Sequence, residues 1–161
     1  MELPKRKRTR LKNFDYSQNG AYFVTVCTHK RQKLFGAYSK EGLLHLPNRP
    51  DLIIKKWLHE IENKFVNVTL DYYVVMPEHL HLILLITQEE NKHTLMDIMN
   101  WFKTMTTNDY IKNVKEMKFP KFEEHFWQRS FFEHIIRNEK ELQEKRVYIK
   151  NNPLKPYEQD F

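Results

Sequence analysis

Apolar and polar residues along this chain follow two periods, one of two residues and one near 3.6, and the changes between them mark its elements. After a turn-rich stretch from Asn13 to Gly20, the run Ala21-Tyr22-Phe23-Val24-Thr25-Val26-Cys27-Thr28 predicts a first strand. Residues 29 to 49 hold neither period and read as a loop or a small hairpin. From Pro50, the spacing Ile53, Ile54, Trp57, Leu58, Ile61, Phe65 predicts an amphipathic helix, with the proline in its first turn. Val66, Val68, Leu70, Tyr72, Val74 and Met76 alternate with Asn67, Thr69, Asp71 and Tyr73, which predicts a second strand running into a Pro77-Glu78 turn. The next residues, His79 to Ile86, are aliphatic apart from two histidines and have no helical spacing. They predict a strand buried on both sides, paired antiparallel with the one before.

Thr94 with Asp97 three residues on resembles a helix start, and Leu95, Ile98, Met99, Phe102 and Met105 supply its apolar stripe. Residues 113 to 124 are charged, carry Pro120 and read as loop. Phe126 to Ile136 is aromatic and alternating, a fourth strand or strand pair. Asn138, with Glu141 at the capping-box position, opens a last helix that Pro153 closes. The order β-α-β-β-α-β-α predicts an α+β protein with a ferredoxin-like antiparallel sheet, helices on one face and a C-terminal helix. With no repeat or linker, residues 1–161 are expected to form one domain.

Composition narrows the partners. A net charge of +6 and a pI near 9.3 favour a polyanion, nucleic acid ahead of a membrane surface. Lys5, Arg6, Lys7, Arg8, Arg10 and Lys12 crowd the first twelve residues, which read either as a solvated arm or as one contacting phosphates. The single cysteine, Cys27, excludes an intramolecular disulfide framework and a cysteine zinc cluster and fits a reducing cytoplasm. Three glycines leave no phosphate-cradling Gly-rich loop. No apolar run predicts a signal core or a bilayer span, so a cytoplasmic, nucleoid-associated protein without membrane contact is expected.

Two spacings carry chemistry. On a strand, His79 and His81 project to one face, while Leu80, Leu82, Leu84 and Ile86 project to the other. Two neutral imidazoles side by side suit a divalent metal, although a pair of hydrogen-bonded structural histidines has the same spacing. On the last helix, Tyr148 and Asn152 are four residues apart, hence on one face. A phenol can attack phosphorus, and an amide oxygen is a hard ligand able to complete a metal site. A tyrosine near a helix end is equally a packing residue.

His79-Leu80-His81 followed by Tyr148-Ile149-Lys150-Asn151-Asn152 resembles the HUH superfamily of single-tyrosine, single-strand DNA transposases, and more closely the REP-associated tyrosine transposases. The resemblance extends over Tyr16 to Thr25, Val75 to His81, Trp127-Gln128-Arg129, Glu133 to Asn138 and Tyr148 to Pro153, in the family's order. It implies that His79, His81 and Asn152 hold one Mg2+ or Mn2+. It implies that Tyr148 attacks a phosphodiester of single-stranded or hairpin DNA, leaving a 5′-phosphotyrosine link and a free 3′-OH. Arg129 joins the basic arm as an expected DNA contact. This chain has Glu78 where many relatives have Asn, and Asn152 where the insertion-sequence branch has Gln.

The expected activity is a metal-dependent DNA strand transferase. A hairpin-binding protein without turnover and a metal-dependent nuclease using water remain alternatives, and the sequence suits a homodimer or a monomer. Phe23, Trp127, Phe131 and Phe132 could stack unpaired bases or fill the core.

Overall fold

The histidine strand lies in the interior of a sheet because its aliphatic residues need cover on both faces. The computed structural model describes residues 20–87 and 93–154. In chain order these form β1 (Gly20–Cys27), a hairpin of β2 (Ala37–Ser39) and β3 (Gly42–Leu44), α1 (Asp51–Lys64), β4 (Val68–Val75), β5 (His79–Ile86), α2 (Leu95–Lys115), β6 (Phe132–Ile136) and α3 (Glu139–Asn151). The sheet has strand order β4-β5-β1-β6, with every pairing antiparallel. With α1 and α2 as the crossovers, this is the ferredoxin-like plan. Among the described residues no helix is long and apolar enough to cross a membrane.

Strand alternation divides the core in two. Tyr22, Val24 and Val26 of β1 and Leu80, Leu82, Leu84 and Ile86 of β5 face α1 and α2. There they meet Ile54, Leu58 and Ile61, and Leu95, Ile98, Met99 and Phe102. Each such aliphatic side chain, fully buried, contributes roughly 1.5–3 kcal/mol, so this face supplies most of the fold's stability. The opposite face is smaller: Phe23, Ile83 and Ile136 meet Ile149 of α3, with Leu142, Val74, Leu85 and Tyr148 around them. The last helix therefore covers the face that α1 and α2 leave open.

Helix starts fall where the capping signals predict. Thr94 and Asp97 form a reciprocal capping box, and the Asn138 side chain accepts from the Glu141 backbone at 2.8 Å. Three expectations are corrected. The alternation of the second strand is broken by a β-bulge: Leu70 pairs with Leu84 but Tyr72 with Ile83, so Asp71 is an extra residue. Tyr73 and Val75 consequently pack toward α1 and α2, and Val74 toward α3. The aromatic stretch from Phe126 is not a strand throughout. Trp127 makes only an isolated bridge with Thr28, and strand geometry begins at Phe132. Helix α2 runs on to Lys115, three residues into the segment expected to be loop, because Val114 still packs against the core.

Candidate metal and nucleophile site

Register decides what surrounds the histidines. His79 lies opposite Cys27 and His81 opposite Thr25 on β1, while Val74 of β4 flanks His81 on the other side. Both imidazoles are buried on the α3 face of the sheet, with ring centroids 4.8 Å apart. The His81 ring stacks on Phe23 at 5.3 Å and meets the Tyr148 ring edge-on at 5.3 Å. Tyr148 also meets Phe23 edge-on at 5.8 Å, and Lys145 one turn before it lies over Phe23 at 4.9 Å. One strand, β5, and one helix, α3, thus bring together His79, His81 and Tyr148, with Phe23 of β1 packed against the last two.

The Nδ1 atoms are held from behind. His81 Nδ1 is 2.7 Å from Thr25 Oγ1, and His79 Nδ1 is 2.8 Å from Glu78 Oε1. The same Glu78 oxygen accepts from the Tyr38 hydroxyl at 2.6 Å and from the Arg31 guanidinium at 3.4 Å. Burial pushes the Glu78 carboxyl up, but hydrogen bonds from His79 and Tyr38 outweigh it, and the net direction is down. An ionised carboxylate only accepts, so Nδ1 of His79 donates and a neutral ring carries its lone pair on Nε2. Burial foremost, reinforced by the nearby Arg31 and Lys145 cations, pushes His81 down to about 3, which keeps that ring neutral.

These residues fit a divalent cation by the chemistry of their donors: two imidazole nitrogens and an amide oxygen. Nε2 of His79, Nε2 of His81 and Oδ1 of Asn152 are all buried from solvent. Asn152 ends α3, one turn beyond Tyr148, and its backbone N–H donates to the Ile149 carbonyl. Among the described residues no three His, Cys, Asp or Glu side chains gather as a metal cluster.

Arg129 is exposed and lines a shallow cavity with Lys103, Thr107, Asn108 and His125, and Lys103 donates to its carbonyl at 3.1 Å. That places it beside α2. Lys5, Arg6, Lys7, Arg8, Arg10 and Lys12 lie outside the described residues. Phe23, Trp127 and Phe131 are buried, and only Phe132 of the aromatics considered for base stacking is exposed. Sequence reasoning passed over Glu78 and Thr25 as supports of the imidazoles. Glu78 could be suspected from its adjacency to His79; Thr25 is visible only through strand register.

A ferredoxin-like sheet with a histidine pair and a helix-borne tyrosine on one face is the arrangement expected of the single-tyrosine transposases. The family model "Transposase IS200 like" matches residues 15–152, and the chain belongs to that family. An uncharacterized protein of Haemophilus influenzae is 31% identical over 174 residues, 96% of this chain and 91% of that one. A second H. influenzae protein, described as a candidate REP-associated tyrosine transposase, is 23% identical over 151 residues, 88% of this chain and 74% of its own length. The fold is that of a REP-associated tyrosine transposase solved bound to a REP hairpin, with a TM-score of 0.64 at 20% identity, covering 92% of this chain and 74% of that one. A candidate transposase of Deinococcus radiodurans R1 matches with a TM-score of 0.55 at 20% identity, covering 88% of this chain and 97% of that one.

Proposed function

We propose that this transposase cleaves and rejoins single-stranded DNA beside a hairpin, with Tyr148 as the nucleophile and His79, His81 and Asn152 holding Mg2+ or Mn2+. The observation that carries the reading is the position of the His81 ring between His79, at 4.8 Å, and Tyr148, at 5.3 Å. The Tyr148 oxygen bonds to phosphorus, the bond from phosphorus to the 3′ oxygen breaks, the phenol proton passes to water and the leaving 3′ oxygen takes one up. When bound, the cation polarises a phosphoryl oxygen and offsets the charge that builds during attack. Thr25 and Glu78 keep the imidazoles oriented, and α3 presents the phenol from above the same face. A hairpin as partner is supported by the charge of +6 and by the solved relative bound to a REP hairpin.

The test pairs binding with turnover. Wild type and His79→Ala/His81→Ala protein are mixed with end-labelled hairpin DNA, with and without Mn2+. Metal-dependent cleavage by wild type, lost in the variant while hairpin binding survives, is the expected result. Equal cleavage by both proteins would overturn the assignment of the histidines.

A further inference from the structure

The bulge at Asp71 has a counterpart on α3. In a regular strand Asp71 and Tyr72 would point to opposite faces; here the extra residue sets both toward the last helix. Both are engaged by one side chain. Arg146 Nε and Nη2 donate to the two Asp71 carboxylate oxygens at 2.7 and 2.6 Å, and its guanidinium lies over the Tyr72 ring at 5.5 Å. The Asp71 side chain is only 11% exposed and Arg146 25%, so this fork is partly withdrawn from solvent. Planar two-point pairing of this kind fixes direction as well as distance.

On α3 the fork and the phenol occupy different flanks. Successive residues turn by about 100°, so Arg146 and Tyr148 are separated by about 200° around the helix axis. Leu142 and Ile149 between those flanks meet the sheet. Arg146 is tied to the outer strand β4, while Tyr148 reaches inward to Phe23 and His81. A helix resting on a narrow apolar stripe can roll unless its flanks are fastened: Glu141, on the phenol's flank, meets the half-exposed His134 of β6, and the more deeply withdrawn Asp71–Arg146 fork holds the other flank. At the radius of its side chains, a roll of about 10° moves a group by about 1 Å.

We propose that Asp71 and Arg146 are positioning residues: their fork at the bulge sets the roll of α3 and thereby where the Tyr148 oxygen stands relative to the histidine pair. The functional half of this inference rests on the reading of Tyr148 as nucleophile; the structural half does not.

Asp71→Asn and Arg146→Lys keep the approximate size of each side chain, and the lysine keeps the cation while losing the fork. Each variant is compared with wild type by amide hydrogen exchange of residues 139–151 without DNA, by Mn2+ affinity, by hairpin affinity and by single-turnover adduct formation. Faster exchange in α3 and adduct formation slowed by about 10- to 100-fold, the usual consequence of an ångström's misplacement, are expected at wild-type metal and hairpin affinities. The double variant should be no slower than the slower single one, because one interaction is removed in all three. Unchanged exchange, or a rate loss matched by weaker hairpin binding, would overturn the proposal. If wild type forms no adduct, the reading of Tyr148 fails, and the exchange result alone then decides whether the fork holds the helix.

Discussion

Glu78→Gln removes one charge from a buried carboxylate and leaves its shape unchanged. Three donors converge on Oε1: Tyr38 at 2.6 Å, His79 Nδ1 at 2.8 Å and Arg31 at 3.4 Å. Hydrogen bonds to a charged acceptor are about twice as strong as neutral ones. The exchange therefore weakens each by about 1 kcal/mol, and an amide, unlike a carboxylate, also has a donor that can turn toward His79. In that orientation the imidazole must accept at Nδ1, which places its proton on Nε2, where a metal would bind. Losing the partner behind a ligating histidine costs about 10- to 100-fold in metal affinity, or about 1.4–2.8 kcal/mol. Calorimetric titration of the DNA-free protein with Mn2+ reads this directly, alongside the thermal midpoint without metal. A lowered midpoint with an unchanged Mn2+ affinity would refute the reasoning and make Glu78 a structural anchor for Tyr38 and Arg31 alone.

Deleting residues 1 to 12 should flatten the dependence of log hairpin affinity on log salt, by about 0.7 to 0.9 in slope for each phosphate the arm neutralises; an unchanged slope makes the arm a solvated tail. Asp51, at the start of α1, is bound by Arg49 at 2.9 Å and approached by Lys55 at 3.4 Å. Burial pushes its carboxyl up, the Arg49 hydrogen bonds and the Lys55 charge outweigh that, and it is held below the ordinary Asp value of 3.8. Because the folded value is the lower one, its stabilisation is full above 3.8 and is lost as pH falls through the folded value. Urea midpoints followed down through that range should fall more steeply for wild type than for Asp51→Asn; parallel curves would contradict this.

The long elements were legible because local signals and burial agree in them. β5 reads as a two-faced buried strand, and α2 and α3 begin at capping residues that close the predicted bonds. What escaped depends on distant partners. The bulge inserts Asp71 into an alternation that looks regular, and only Arg146, 75 residues on, gives it a purpose. Thr106 to Asp109 are polar in composition. Yet Thr106 is buried and accepts from the Trp127 indole at 2.9 Å, an interaction that no local window contains. Phe126 and Trp127 look like strand residues because aromatic side chains favour strands, but here they fill the core beneath α2. At the site, the two histidines and Tyr148 stand out by spacing and resemblance. Their supports, Thr25 and Glu78, follow from register and from a turn that brings the carboxylate back onto the neighbouring ring.

Tyr148→Phe separates packing from chemistry most directly. Phenylalanine keeps the ring that meets His81 and Phe23 and lacks only the oxygen. Hairpin DNA labelled on the 3′ side of the cleavage site is incubated with Mn2+ and either protein, and the products are separated on a denaturing gel. Protein-linked label is predicted with wild type, mapped by mass spectrometry to the peptide containing Tyr148, and none with the variant, which still folds and binds metal and hairpin. Protein-linked label with Tyr148→Phe, or cleavage by it without any linked protein, would contradict the assignment of the nucleophile.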